Sequence, residues 1–514
     1  MPRLGLPSPR GTGSPMIVSG KLPAFPAILL AAAGLMLVPA AHAAQLEDWR
    51  VARTFLYHGG LLAVVAIILG IGLANYRPYR AERYQLLTLL LSYLLLPLAL
   101  ALPVRALTSI PFHDAWFEML SSLTTTGATV FDRYWLVAPS IHLWRALVGW
   151  GGGLMILVAA FAVLAPLNLG GFEIVHRDRA DAEGRRSPSL DLARERIRRS
   201  IRTIAPVYAV FTFTLAVLLM IAGDEPIVAF CHAMATVSTS GISPVGGLAN
   251  GPGGIPGEAM MAVFLLPAVT HHMLSFRLWH WRQLSFGDPE IQLMLIAGLA
   301  VTAVLSLRAF LGAVEAERAT DLLTAGQALW GSLFTVLSHL TTTGFESRHW
   351  MTMETWSGLS APGTILLGAA IMGGGIATTA GGVKLLRLHT LYRHGMSELG
   401  RLVHPSNPGR RSGAAGTFTS AGTRIAFVFL MLFLISIAVV TIALAATGIA
   451  FERGLVLAVA GLTTTGPAIA ILDDGTTYRE LGPAAQVILG AAMIIGRMEA
   501  LVIIALFNPA YWRK

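Results

Sequence analysis

Cysteine and charged residues are scarce in this 514-residue chain, which has one cysteine and only 13% Asp, Glu, Lys and Arg. A soluble domain ordinarily carries about 25% charged residues, so the composition excludes an ordinary soluble protein. A single cysteine also excludes an internal disulfide framework and any thiolate metal cluster contained within the chain. We therefore interpret Cys231 as a small packing residue.

Hydrophobic residues make up 54% of the chain, and the mean hydropathy is +0.65. They are gathered in apolar runs of about 20 residues, the length that an α-helix needs to cross a bilayer. We predict ten membrane-crossing helices, near residues 24–43, 55–75, 85–105, 141–167, 203–222, 259–279, 290–312, 362–385, 424–447 and 484–507.

The formal charge of +9 could indicate nucleic-acid binding. The basic residues, however, are concentrated between the apolar runs, at 77–83, 177–202, 277–282 and 384–424. Loops that are rich in Lys and Arg face the cytoplasm in membrane proteins. The pattern therefore indicates topology, with membrane lipid and not nucleic acid as the expected surroundings.

The N-terminus allows two interpretations. Residues 1–20 are predicted to be disordered, because they are rich in Pro, Gly and Arg. The apolar stretch that follows ends in Ala41-His42-Ala43, which also imitates a signal peptide with its cleavage site. Residues 24–43 are thus either a cleaved signal or a retained first helix.

Four apolar stretches are too short to cross the membrane, and each is followed by a Thr/Ser-Gly motif. The stretches are Phe112–Leu123, Pro226–Val237, Gln327–Leu340 and Glu452–Leu462. We number the motifs 1 to 4; they are residues 124–127 (TTTG), 238–241 (STSG), 341–344 (TTTG) and 463–466 (TTTG). They recur roughly every 100 to 120 residues, which indicates an internal repeat.

A 12-residue helix is about 18 Å long, well short of the roughly 30 Å hydrocarbon core, so each stretch must enter and return on one side. Non-helical backbone at that depth is tolerated only inside protein or along a water-filled path. We therefore predict that the four motifs meet around one pore, where carbonyl and hydroxyl oxygens replace the hydration shell of a cation. The predicted ligands are Thr125, Thr126, Gly127, Thr239, Ser240, Gly241, Thr342, Thr343, Gly344, Thr464, Thr465 and Gly466.

Together with these motifs, several segments resemble the TrkH/KtrB/HKT superfamily of potassium transporters, and the likeness is closest to its TrkH-type pore-forming subunits. The segments are Asp114–Glu118 (DAWFE), Asp288–Glu290 (DPE), Gly373–Gly375, Gly381–Lys384 (GGVK), Ile495–Glu499 (IGRME) and Asn508–Arg513 (NPAYWR). The resemblance covers nearly the whole chain.

The resemblance implies an all-α integral membrane protein with four pseudo-symmetric repeats of helix, pore helix, filter and helix around one pore. Two extra N-terminal helices precede the repeats. We expect the extra pair over 21–83 and the repeats over 84–175, 176–285, 286–400 and 401–514.

The resemblance also implies a function, which is potassium uptake across the inner membrane. The expected assembly is a homodimer gated by a cytosolic nucleotide-binding subunit of the TrkA/KtrA type, and no organic cofactor is expected in this chain. Within the superfamily, glycine at all four filter positions accompanies potassium preference, and serine at the first accompanies sodium. Two departures are Ser240, where glycine is usual, and the threonines before Gly466, where TrkH types often have asparagines.

Two further features point to a gate. Glycine-rich residues 373–382 should interrupt their helix, since each interior glycine costs about 1 kcal/mol relative to alanine. In the family this stretch is the gate loop, which assigns gating to Gly373, Gly374, Gly375, Gly381 and Gly382. Arg497 lies in an apolar helix and must face protein or water. The family implies an electrostatic barrier for it, and an ion pair with Glu499 is the alternative.

Two other functions stay open. A proton- or sodium-coupled symporter of the same fold would need a carboxylate relay in the membrane, and no clear one is present. A membrane-embedded metalloenzyme could use His271, His272 and His280. Adjacent histidines point to different faces of a helix, and no His-Glu-x-x-His pattern is found, so this second alternative is weak.

Overall fold

The structure is a computed structural model that describes residues 23–76, 81–167, 169–171, 190–270, 288–315, 322–359, 361–403, 420–472 and 475–507. Within these ranges the regular structure is helical. Among the described residues, seven helices are long and apolar enough to cross a membrane. The expected all-α membrane architecture is therefore present.

Three helices precede the first repeat: α1 (Ala24–Leu35), α2 (Leu37–Gln45) and α3 (Trp49–Gly72). The first two form one apolar span of 22 residues. The span is bonded to the rest of the protein, because Nδ1 of His42 lies 2.8 Å from Oγ of Ser140. Residues 1–20, predicted to be disordered, lie outside the described residues.

The four repeats follow one order of elements, in which a long helix is followed by a shorter buried helix, a Thr/Ser-Gly motif and further helix. Repeat 1 comprises α4 (Ala81–Leu107), α5 (Phe112–Leu123) and α6 (Pro139–Ala159). Repeat 2 comprises α7 (Leu190–Ala222), α8 (Pro226–Ser238) and α9 (Gly254–Leu265). Repeat 3 comprises α10 (Pro289–Glu315), α11 (Leu322–Leu340), α12 (Trp350–Ser357), α13 (Thr364–Met372) and α14 (Leu385–Val403). Repeat 4 comprises α15 (Ser420–Ala445), α16 (Phe451–Thr463), α17 (Pro483–Met498) and α18 (Ala500–Phe507).

Three of the ten predicted spans are not among the membrane-spanning helices of the described residues. The span at 362–385 stops at Met372, and the chain is irregular over 373–384 (the 373–384 loop) before α14 begins. This interruption confirms the predicted glycine-rich break. The span at 484–507 is interrupted at Glu499, which has a φ of 63°, and this second break was not predicted. For the span at 259–279, α9 begins at Gly254 and a 3-10 turn ends at Ala268, while 271–279 lie outside the described residues.

The short helices before the motifs lie where they were predicted, with one difference in length. Helices α5, α8 and α16 match the predicted stretches to within a residue at each end, whereas α11 begins at Leu322, five residues before the predicted start. Most residues of α5, α8 and α16 are buried, whereas α3 exposes much of its surface. Helices α5, α8 and α16 therefore lie in the interior of the protein, together with much of α6, whereas α3 lies on its outer surface.

Candidate functional site

Each of the four motifs ends its short helix in the same backbone conformation. Thr125, Thr239, Thr342 and Thr464 have φ values of 54°, 53°, 57° and 57°, in the left-handed region. The next residue then folds back onto the helix: the amides of Thr126, Ser240, Thr343 and Thr465 donate to the carbonyl five residues earlier, each at 2.8 Å. This is a Schellman-type helix end with threonine in the place usually taken by glycine. A left-handed residue with a Cβ costs roughly 1–2 kcal/mol, so four-fold use of threonine marks a site where its hydroxyl serves a purpose.

Within each motif, two side-chain hydroxyl groups are hydrogen-bonded to each other. The side-chain oxygens of Thr124 and Thr126 lie 2.9 Å apart, and those of Thr341 and Thr343 lie 3.1 Å apart. The equivalent pairs in motifs 2 and 4 have distances of 3.1 and 3.0 Å. Serine supplies the same hydroxyl as threonine, so Ser240 preserves this bond. The pairs orient the side chain of the residue before each glycine.

The first three motifs contact one another in order through their glycines. A Cβ atom on Gly127 would lie 1.9 Å from the carbonyl oxygen of Ser240. One on Gly241 would lie 2.2 Å from the carbonyl oxygen of Thr343. Real Cβ atoms do not approach backbone so closely, so these positions admit only glycine without a shift of the neighbouring motif.

Motif 4 closes the ring. A Cβ atom on Gly344 would lie 3.0 Å from Cγ2 of Thr465, and one on Gly466 would lie 2.2 Å from the amide nitrogen of Ala128. The amide of Gly466 also donates to the carbonyl oxygen of Thr126 at 2.6 Å. The four motifs, more than 100 residues apart in sequence, are therefore neighbours in the folded protein.

Motif 4 differs from the other three in its backbone. Gly127, Gly241 and Gly344 have φ values of 77°, 63° and 80°, whereas Gly466 begins a 3-10 turn that runs to Ile471. The hydroxyl of Tyr478 donates to the carbonyl oxygen of Gly466 at 2.7 Å. One carbonyl of the ring is thus held from outside by a tyrosine that the sequence alone did not identify.

The motifs concentrate oxygen atoms in a fully enclosed position. All four left-handed threonines are at most 1% exposed. Within the described structure, Oγ1 of Thr125 and Oγ1 of Thr464 are buried with no hydrogen-bond partner. Carbonyl and hydroxyl oxygens are the ligands that suit an alkali or other hard cation. A buried hydroxyl group without a hydrogen-bond partner is costly unless it binds such a cation.

The 373–384 loop lies against this ring. The amide of Gly381 donates to Oγ1 of Thr342 at 2.7 Å. A Cβ atom on Gly381 would lie 2.1 Å from the carbonyl oxygen of Thr463. Elsewhere in the loop, the amide of Ile376 donates to Oε1 of Glu290 at 2.8 Å. The loop thus contacts motifs 3 and 4 directly.

Arg497 connects the ring to the loop. It is 4% exposed, and its Nε donates to the carbonyl oxygen of Thr124 at 2.7 Å while Nη1 donates to that of Thr379 at 2.5 Å. Its predicted alternative partner, Glu499, instead forms an ion pair with Arg387 at 2.7 Å. The guanidinium of Arg387 also lies 3.8 Å from the ring centroid of Phe429. Arg387 was missed from the sequence, where it is one of many basic residues next to a span.

A buried carboxylate fixes the chain that leaves motif 1. Glu118, on α5, accepts the amide of Val130 at 2.8 Å and the Thr129 hydroxyl at 3.1 Å. Its other oxygen accepts Nε of Arg145 at 2.5 Å. Glu118 stands in the Asp114–Glu118 segment that carries part of the family resemblance, but the sequence did not indicate what it holds.

The histidines of the metalloenzyme alternative, His271, His272 and His280, lie outside the described residues. Among the residues that the structure describes, no group of three or more His, Cys, Asp or Glu side chains could hold a metal ion. Two other buried histidines, His232 and His339, contact Oγ of Ser243 and the Thr335 carbonyl oxygen, both at 2.9 Å.

The family model TrkH, described as a cation transport protein, matches residues 88–246 and 271–514. The chain belongs to the TrkH family of cation transport proteins. This assignment confirms the superfamily resemblance.

The relatives cover most of the chain. The Trk system potassium uptake protein TrkH of Halomonas elongata is 31% identical over 470 residues, which are 88% of this chain and 92% of the relative. TrkH of Escherichia coli K12 is 30% identical over 78% of this chain and 80% of the relative. The crystal structure of the potassium transporter TrkH from Vibrio parahaemolyticus superposes with a TM-score of 0.75 at 24% identity, covering 95% of this chain and 98% of that one. The chain is a multi-pass protein of the inner membrane with the all-α TrkH fold.

Proposed function

We propose that this chain is the pore subunit of a potassium uptake system and that motifs 1 to 4 form its selectivity filter. The observation that carries the proposal is the closed ring, in which each motif glycine packs against the next motif, and Gly127, Gly241 and Gly466 leave no room for a side chain there. Such a ring presents backbone carbonyls and threonine hydroxyls to one axis, and these groups can replace water around a cation. The relatives named as potassium uptake proteins support potassium as the ion.

A passive pore is sufficient for uptake. Each 100 mV of inside-negative potential favours entry of a monovalent cation by about 2.3 kcal/mol. Potassium is the transported ion in this proposal and not a resident cofactor. Coupling to a proton or sodium gradient is the alternative that flux measurements must separate.

The 373–384 loop and Arg497 form the gate in this proposal. The loop packs beneath motifs 3 and 4, with Gly381 against Thr463 and bonded to Thr342. Arg497 places a buried positive charge next to the motif 1 carbonyl of Thr124. A fixed cation there opposes the passage of a mobile cation, because both charges lie in protein of low dielectric constant.

Regulation in this proposal comes from outside the chain. A cytosolic nucleotide-binding subunit of the TrkA/KtrA type biases the loop, and the pore assembles as a homodimer. The family resemblance supports both partners. The names of the relatives also place them in a Trk system.

The test uses purified protein in liposomes, with potassium, rubidium and sodium flux compared for the parent and for Gly344→Asp. The substitution puts a carboxylate against Thr465 and Pro467 at a φ of 80°. The matched control is Gly482→Asp, because Gly482 is the exposed N-cap of α17 and no atom lies within 4 Å of its new Cβ. Aspartate is favourable at an N-cap, so the control should fold and conduct normally.

Potassium-selective flux in the parent and the control, lost in Gly344→Asp, would support one conduction path through the ring. Absence of cation flux in the parent, even with a cytosolic regulatory subunit added, would contradict the proposal. Imposed proton and sodium gradients separate the alternatives, since a passive pore follows the potassium gradient and voltage alone.

A further inference from the structure

The carboxylate of Glu258 lies on α9 in repeat 2, but its hydrogen-bond donors belong to repeat 3. Glu258 is 3% exposed. Its Oε2 accepts Nε1 of Trp330 and the hydroxyl of Ser347, both at 2.7 Å. Its Oε1 accepts the amide of Arg348 at 2.8 Å. A single side chain therefore ties two repeats together.

These donors surround motif 3. Trp330 is on α11, the short helix that leads into the motif, and Ser347 and Arg348 lie three and four residues after Gly344. Ser347 is also fixed to α11, because its amide donates to Oγ1 of Thr335 at 3.1 Å. The chain leaving motif 3 is thus held between its own helix and the neighbouring repeat.

The charge of Glu258 is required by this arrangement. A buried carboxylate is tolerated when it is hydrogen-bonded, and bonds to an ionised acceptor are stronger than neutral ones. A glutamine of the same size presents one oxygen and one NH2 group. Its NH2 group would have to face either Trp330 and Ser347 or the amide of Arg348, so at least one of these three bonds would be lost.

We propose that Glu258 is a positioning residue that sets the cation selectivity of motif 3, which rests on the proposed function of that motif as part of the filter. Upstream, motif 3 is fixed by the amide of Thr343, which donates to the carbonyl oxygen of Ser338 at 2.8 Å. Downstream, the chain is held by Glu258 and by the bond from Ser347 to Thr335, and between the two ends lies Gly344, which has no side chain to hold it. Selection between potassium and sodium depends on where the carbonyls lie, so releasing the downstream anchor degrades selection without removing a ligand.

In repeat 1 the chain that leaves the motif is also held by a buried glutamate, but from a different element. There Glu118, on the short helix of its own repeat, accepts the amide of Val130. The chain after motif 3 is held by a helix of the preceding repeat as well as by the Ser347–Thr335 bond within its own repeat. Glu258 therefore also couples the position of α9 to that of motif 3.

The test measures the ratio of potassium to sodium flux for full-length protein in liposomes. Glu258→Gln should lower this ratio by about fivefold, the factor that corresponds to one net hydrogen bond. Glu258→Asp keeps the charge and should retain more of the ratio than glutamine does. The matched control is Glu225→Gln, because Glu225 is exposed at the N-terminus of α8 and makes no side-chain cap bond.

A second readout is thermal stability in potassium relative to sodium. A cation that binds the folded filter raises the melting temperature, so the parent should be more stable in potassium. That ion-specific difference should shrink in Glu258→Gln. A merely structural role would lower the melting temperature equally in both salts.

If Glu258→Gln does not fold, Ser347→Ala and Trp330→Phe each remove one donor while leaving the carboxylate in place. They should lower the flux ratio in the same direction. A selective parent whose ratio survives all these substitutions would overturn the role of Glu258 and leave the proposed function intact. A parent with neither flux nor ion-specific stabilisation would overturn both.

Discussion

The four motifs and the 373–384 loop are both irregular backbone inside the protein, yet they are held by different kinds of bond. Each motif is closed by a backbone bond of 2.8 Å to its own helix. The two ends of the loop are also held by backbone hydrogen bonds, for example from the amide of Val383 to the carbonyl oxygen of Ile371. Its middle is held by side chains of other elements, namely Glu290, Thr342 and Arg497.

The difference shows which part can move. Displacing a motif requires its helix end to unwind, because the bond is part of the helix cap. Displacing the middle of the loop instead requires side chains of other elements, chiefly Glu290, Thr342 and Arg497, to exchange partners. Elements that switch are drawn from the less stable parts of a protein, so the motifs are suited to a fixed filter and the loop to a gate.

Deleting residues 376–379 should have the largest effect, because it removes both the Ile376 and the Thr379 contacts. We expect unregulated cation flux to rise by more than about tenfold, because lowering the barrier to permeation by about 1.4 kcal/mol raises the rate tenfold. Flux into liposomes without any partner subunit measures this. The motifs are untouched, so potassium should still be preferred over sodium. A deletion protein that stays closed would contradict the gate.

Arg497→Ala should raise leak flux by about tenfold, because it removes a buried charge next to the conduction path. Arg497→Lys sharpens the comparison. Lysine keeps the charge but lacks the planar fork that reaches both Thr124 and Thr379. If leak flux in Arg497→Lys stays at the parent's level, the positive charge is responsible for the barrier. If leak flux rises as in the alanine variant, the two bonds to carbonyl oxygens are responsible. Leak unchanged in the alanine protein would count against any barrier at this residue.

Gly127→Ser tests the fixed nature of the filter. The new Cβ would lie 1.9 Å from the carbonyl oxygen of Ser240, so motifs 1 and 2 must separate. We expect the potassium-to-sodium flux ratio to fall by about tenfold, or 1.4 kcal/mol. Gly475→Ser is the control, since Gly475 has a φ of 71° and no atom lies within 4 Å of its new Cβ. An equal loss in both variants would mean that backbone strain, not the ring contact, is responsible.

The smallest effect is expected for Tyr478→Phe, which removes the bond to the carbonyl oxygen of Gly466. A neutral hydrogen bond contributes about 1 kcal/mol, so the flux ratio should change by no more than about fivefold. The measurement is the same potassium and sodium flux. A change as large as that of Gly127→Ser would show that motif 4 depends on this tyrosine more than its backbone contacts indicate.

The features that could be predicted from the sequence are local ones. The short helices follow from apolar stretches of limited length, and the break over 373–382 follows from glycine propensity. The break at Glu499 could not be predicted, because a glutamate is not expected in a left-handed conformation. Its ion pair with Arg387 joins residues more than 100 positions apart, and no local pattern shows such a pairing.

The sequence by itself determined that the chain crosses a membrane and where four Thr/Ser-Gly motifs interrupt it, since apolar length and glycine act locally. The tertiary structure decided the order of the motifs around the axis. It also decided that Arg497 binds two carbonyls and that Glu258 of repeat 2 holds the chain after motif 3. These are contacts between distant segments, and buried polar groups take their partners from whatever the packed helices bring within hydrogen-bond distance.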